Sequence, residues 1–93
     1  MKNKKNFRYF MLHGNTVMTY NIARIIKVET FNNISKILKV KSTYLGKPSK
    51  NIYHDTYYTY VEKQFNSLQE LLNCFIGYTV KEITEAEAFA ELL

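Results

Sequence analysis

The sequence is poor in the residues that build most catalytic and metal centres. It has one cysteine, one proline, three glycines, two histidines and no tryptophan, and its only aspartate is Asp55. A single cysteine, Cys74, excludes an intramolecular disulfide and fits a reducing, intracellular compartment. The isolated glycines Gly14, Gly46 and Gly77 form no Gly-rich phosphate loop. Gly46-Lys47 is followed by Pro48, not by a hydroxyl residue opening a helix. Zinc needs three or four ligands at recognisable spacing, and no such spacing occurs. His54 and Asp55 are neighbours, so on a strand they point to opposite faces and cannot orient one another. Nothing in the spacing supports pairing Cys74 with His13 or His54 as nucleophile and base. Glu70, Glu85, Glu87 and Glu91 fall at helix starts or on polar helix faces, which argues against a carboxylate pair. No apolar run approaches the roughly 18 residues of a membrane span. The aromatic run after Phe7 is broken by Arg8 and closed by His13, so it does not read as a signal peptide. The expectation is a non-enzymatic domain with no cofactor and no metal.

What is present is a foldable core. Hydrophobic residues make up 46% of the chain and aromatics 15%, too much for an intrinsically disordered segment and enough for one domain of 93 residues. Lys, Asn, Ile and Tyr supply 36 of the 93 residues. Their codons are A/T-rich, which points to a low-GC genome such as those of many bacteria, phages and plasmids. Charge is divided unevenly. Residues 1–50 hold eleven Lys/Arg and one acid, Glu29, for a formal +10; residues 51–93 hold two Lys and seven acids, for −5. A basic half points to a phosphate-rich or acidic partner.

Hydrophobic periodicity outlines the elements. Met1–Asn6 reads as a frayed basic arm. Phe7–His13 reads as a strand, Gly14-Asn15 as a two-residue turn and Thr16–Tyr20 as a return strand. In 21–31, Ile22, Ile26, Val28 and Thr30 share one face and Lys27 and Glu29 the other; Ile25 breaks the alternation, and a helix over 19–27 is an alternative. Asn32-Asn33 suits a turn, because asparagine tolerates positive φ. In 34–45, Leu38, Val40, Ser42 and Tyr44 alternate with Ile37, Lys39, Lys41 and Thr43. A hairpin of 22–31 with 34–45 follows. Residues 46–51 form a basic loop, and 52–65 is tyrosine-rich and β-prone. Capping boxes at Ser67/Glu70 and Thr84/Glu87 open helices over 67–76 and 84–93, around a short strand over 78–83. Leu68, Leu71, Leu72, Phe75 and Ile76 form the apolar face of the first helix, and Ala86, Phe89, Ala90 and Leu93 that of the second. The expected fold is α+β: a mostly antiparallel sheet of four or five strands, with the two C-terminal helices covering one face.

The binding chemistry lies in lysine and tyrosine. Lys39 and Lys41 share a strand face, Lys36 has the opposite parity, and Lys27 points outward from the partner strand. Lys47 and Lys50 bracket the basic loop, while Lys2, Lys4, Lys5 and Arg8 add an arm. Arg24 shares the parity of Ile22 and Ile26, so it sits at a sheet edge or is held for a specific contact. Strand, loop and arm together make a phosphate-binding footprint. The competing explanation is that lysine keeps exposed strand edges from pairing. Tyr57 lies on one face of its strand and Tyr58 and Tyr60 on the other, where tyrosine either stacks unpaired bases or packs across strands. The expected partner-binding set is therefore Arg24, Lys27, Lys36, Lys39, Lys41, Lys47, Lys50, Tyr57, Tyr58 and Tyr60. Two functions fit it. One is a phage or mobile-element inhibitor, anti-CRISPR-like, that binds a host nucleoprotein complex in the bacterial cytoplasm; small size and missing catalytic groups favour it slightly. The other is a single-stranded nucleic-acid-binding protein. A small enzyme is a third class. Leu92 and Leu93 either dock on the sheet or offer a homodimer contact.

Overall fold

The computed structural model describes residues 5–44 and 60–92. They form a small α+β domain around a five-stranded sheet. The strands are β1 (Asn6–Gly14), β2 (Ile22–Phe31), β3 (Ile34–Tyr44), β4 (Gln64–Phe65) and β5 (Tyr78–Ile83), in the order β4-β3-β2-β1-β5, and every ladder is antiparallel. Two helices complete it, α1 (Leu68–Leu72) and α2 (Glu85–Leu92). No described helix is long and apolar enough to cross a membrane.

The β2–β3 hairpin forms as its sequence implies. Asn32 and Asn33 both adopt positive φ, 54° and 66°, as a two-residue turn matched to strand twist requires. Asn15–Asn21 departs from expectation. Thr16–Tyr20 is not a strand: the carbonyl of Thr16 accepts from the amides of Thr19 and Tyr20 at 3.1 and 2.8 Å, closing a turn. The Thr19 hydroxyl donates to the carbonyl of Gly77 at 2.7 Å and ties that turn to the loop before β5. The strand that returns against β1 is β2, in strand conformation from Ile22, so the helical alternative for 19–27 is overturned.

The helices lie on opposite faces of the sheet, not on one. On the first face Phe10, Leu12, Ile22, Ile26, Val28, Ile37 and Val40 pack with Phe65, Leu71, Phe75 and Tyr78, so α1 covers this side. On the second face Tyr9, Ile25 and Ile83 pack with Ala88 of α2. Ile25 thus breaks the alternation because the strand is buried on both sides. Both helices differ from their expected apolar faces. α1 ends at Leu72, and Ile76 lies beyond it, 85% exposed. α2 buries Ala88, while Ala86, Phe89 and Ala90 face out. Their starts follow the sequence. Ser67 Oγ accepts from the Glu70 amide at 3.1 Å. The Thr84 box is reciprocal, with the Glu87 amide donating to Thr84 Oγ1 at 3.1 Å and the Thr84 amide donating to Glu87 Oε1 at 2.9 Å.

Two predictions follow from these contacts. A Cβ on Gly14 would fall 1.6 Å from the carbonyl oxygen of Thr19, in the backbone of the loop that crosses it. Gly14→Ala should cost at least about 2 kcal/mol, lowering Tm by roughly 8–16 °C in a thermal melt. The hydrogen bonds from Thr84 hold the Glu87 carboxyl below its ordinary pKa. Because the folded value is depressed, the stabilisation is present at neutral pH and is lost as pH falls through the folded value. The α2 signal in far-UV circular dichroism should therefore weaken on acidification, and less so in Glu87→Gln.

Candidate functional site

The basic residues of β2 and β3 converge because of a β-bulge. The pairing register shifts between Lys27 and Val28: Lys27 opposes Lys39, whereas Val28 opposes Ile37. Leu38 is the extra residue. A bulge of this kind re-phases the strand beyond it. Lys36 therefore opposes Glu29 and lies on the same face as Lys39 and Lys41, where the uninterrupted pattern placed it on the other side. The same shift lets both Ile37 and Val40 reach the first core, at 0% and 7% exposure.

Lys27, Lys36, Lys39 and Lys41 thus share the second sheet face, the one α2 covers in part. The helix packs over Tyr9, Ile25 and Ile83, on the β5–β1 side. The lysines occupy the β2–β3 side. Lys39 is exposed and the other three are half-buried. Lys27 Nζ lies 4.7 Å from the ring centroid of Phe7, a cation–π distance, and Phe7 remains 45% exposed. Lys36 lies 3.7 Å from Glu29 and 3.8 Å from Glu62. Lys5 approaches Glu29 from the other side at 3.7 Å. Glu29 itself is only 8% exposed. Lys5, Glu29 and Lys36, together with Phe31, Asn32, Ile34 and Gln64, line an open pocket of about 360 Å³ beside the β2–β3 turn.

Other members of the expected set do not join this face. Arg24 is neither at an edge nor exposed: it lies in the central strand, 4% exposed, on the first face. Its guanidinium donates to Tyr78 Oη at 3.2 Å and to Ser42 Oγ, and stacks on the Tyr78 ring at 5.5 Å. It is a core cross-link. Tyr60 is half-buried against Phe65 of the first core, with Lys63 over both rings. Arg8 belongs to β1 and not to a loose arm, and it pairs in fork geometry with Glu82 at 2.7 and 2.9 Å. That pairing holds the Glu82 carboxyl below its ordinary pKa. Lys47, Lys50, Tyr57 and Tyr58 lie outside the described residues.

Set against protein-family models, curated proteins and solved structures, the chain matches none of them. Its function has to be read from the surface itself. Sequence reasoning missed the Glu29 pocket and one more feature. At the opposite end of the sheet, Val17, Met18, Tyr20 and Ile76 are 66–87% exposed on two loops joined by the Asn15 and Thr19 hydrogen bonds to Gly77. The signal lies in the apolar residues of 16–20, which form a turn and not the expected strand.

The remaining nucleophile and base are kept apart. His13 opposes Ala23 and Thr79 on the second face, whereas Cys74 packs against the first core. Burial raises the Cys74 pKa, so its thiol stays protonated at neutral pH. Among the described residues no group of three His, Cys, Asp or Glu could hold a metal. Cys74 in the folded protein should react with a disulfide reagent at least about tenfold more slowly than in the urea-unfolded chain.

Proposed function

We propose that this chain is a non-enzymatic binding domain whose β2–β3 face holds the phosphate backbone of a single-stranded nucleic acid. The observation that carries the reading is the bulge, which puts Lys27, Lys36, Lys39 and Lys41 on one face and sets Lys27 directly opposite Lys39. Four cations on one face concentrate positive charge, and a polyanion bound across it releases its own counterions. Lys39 and Lys41 sit two residues apart, about 7 Å along the strand. That is comparable to the step between phosphates in an extended strand. Phe7 and Phe31, 45% and 36% exposed, flank the lysines and offer ring surfaces on which bases stack.

A second reading has its own supporting observation. The apolar tip formed by Val17, Met18, Tyr20 and Ile76 has the character of a protein-binding surface. With a basic face on the same chain, it suits a nucleoprotein target, as an inhibitor from a phage or mobile element acting in a bacterial cytoplasm would require.

Anisotropy titrations with a short labelled single strand separate the two. With four lysine contacts, affinity should fall about 50-fold between 50 and 200 mM salt. Lys39→Ala combined with Lys41→Ala should reduce the slope of that salt dependence by roughly half. Absence of binding at the lower salt would refute the first reading. The second predicts instead co-purification of a nucleoprotein, lost in Met18→Asp.

A further inference from the structure

We infer that the pocket beside the β2–β3 turn is a base-recognition site that selects guanine within the bound strand, an inference that rests on the single-strand reading above. Its centre is Glu29, almost fully buried and negative, in the middle of a basic face. A site for a bare phosphate would not place a carboxylate there. Lys5 and Lys36 flank that carboxylate at 3.7 Å each, beyond the roughly 3.2 Å reach of an N–H···O hydrogen bond. The lysines therefore hold Glu29 by charge and leave its oxygens able to accept from a ligand. The ligand must carry hydrogen-bond donors at its centre and negative charge on its flanks. A nucleobase between two phosphates has that distribution.

The donor pattern narrows the base. A carboxylate offers two adjacent acceptors and no donor. Guanine presents two adjacent donors on its Watson–Crick edge, the ring N1–H and the exocyclic N2 amine. Adenine and cytosine each place a ring acceptor beside their amine, which opposes the second carboxylate oxygen. Uracil and thymine carry a single donor between two carbonyls. Single-strand readers use this edge, because it is free of pairing. The remaining lining fits the same ligand. Phe31 and Ile34 supply an apolar surface for the ring, and the amides of Asn32 and Gln64 can serve its other polar atoms. Lys5 and Lys36 stand on either side for the phosphates. A volume of about 360 Å³ lies within the range of small-ligand pockets.

Anisotropy of the full chain with short labelled RNA strands tests this. The strands are all-uridine, or alternate uridine with guanosine, adenosine, cytidine or inosine. The guanosine strand should bind at least about tenfold more tightly than the others. Inosine, which lacks only the exocyclic amine, should lose most of that gain. Glu29→Gln replaces one acceptor oxygen with a donor amide and removes the counter-charge on Lys5 and Lys36, so it should erase the guanosine preference while all-uridine RNA binds at least as tightly as to the unaltered protein. Equal binding of all five strands overturns the pocket inference and leaves the basic-face reading standing. Failure of every strand to bind at about 50 mM salt overturns both. A guanosine preference that survives in folded Glu29→Gln overturns the placement of the site. The inosine comparison uses the unaltered protein, so the inference stays refutable even if Glu29→Gln does not fold.

Discussion

β2 has to be buried on both sides at once, and the rest of the domain is arranged around that requirement. It is the central strand of five, so its backbone groups are consumed by ladders to β1 and β3. Ile22, Ile26 and Val28 belong to one core and Ile25 to the other. In a strand with one buried face, a slip of one residue moves the whole apolar set into solvent. Here a slip would also bring Arg24 and Glu29 out of the positions where Tyr78, Ser42, Lys5 and Lys36 meet them. Two short helices then divide the work, α1 on the larger core and α2 on the smaller. α2 packs with Tyr9, Ile25 and Ile83, with Met11 beside them, and the lysines lie on the β2–β3 half of the same face.

The charge division along the chain resolves into local chemistry. Among the described acids, Glu29 and Glu62 neutralise Lys5 and Lys36, Glu82 grips Arg8, Glu85 accepts from the Tyr9 hydroxyl and Glu87 caps α2. Glu62, Glu82, Glu85 and Glu87 of the acidic second half therefore serve the fold. α2, with acids in its first turn, packs on the same face as the lysines, which suits the charges of both. Lys27, Lys36, Lys39 and Lys41 gather on one face of β2 and β3. That concentration of positive charge makes the face a candidate binding surface.

The hairpin of β2 and β3, the turn at Asn32-Asn33 and both helix caps were legible because each depends on neighbours in sequence: alternation, tolerance of positive φ, and a hydroxyl three residues before a glutamate. The loop from Asn15 to Asn21 was misread because its turn is held by Gly77, far away along the chain. The exposed tip was lost with it. α2 was oriented wrongly because periodicity alone does not say which of Ala86, Ala88 and Ala90 meets the sheet; Ala88 packs against Tyr9, Ile25 and Ile83, and Phe89 faces out. Of the expected binding residues, Lys27, Lys39 and Lys41 were correctly placed on one face. Lys36 needed the bulge, and Arg24 was drawn into the core by a hydroxyl of Tyr78 that no local pattern announces.

By itself the sequence determined the class of the domain, the firmest strand pair, the helix starts and the surplus of lysine in the first half. These follow from periodicity, capping chemistry and composition, all of which act over a few residues. The tertiary structure alone decided which face each helix covers, which side Lys36 emerges on, and that Glu29 sits between two lysines in a pocket. The side on which Lys36 emerges, and with it the Lys36–Glu29 contact, depends on one register shift between Lys27 and Val28. A bulge is a compromise between two strands that must both bury apolar residues on a twisting sheet.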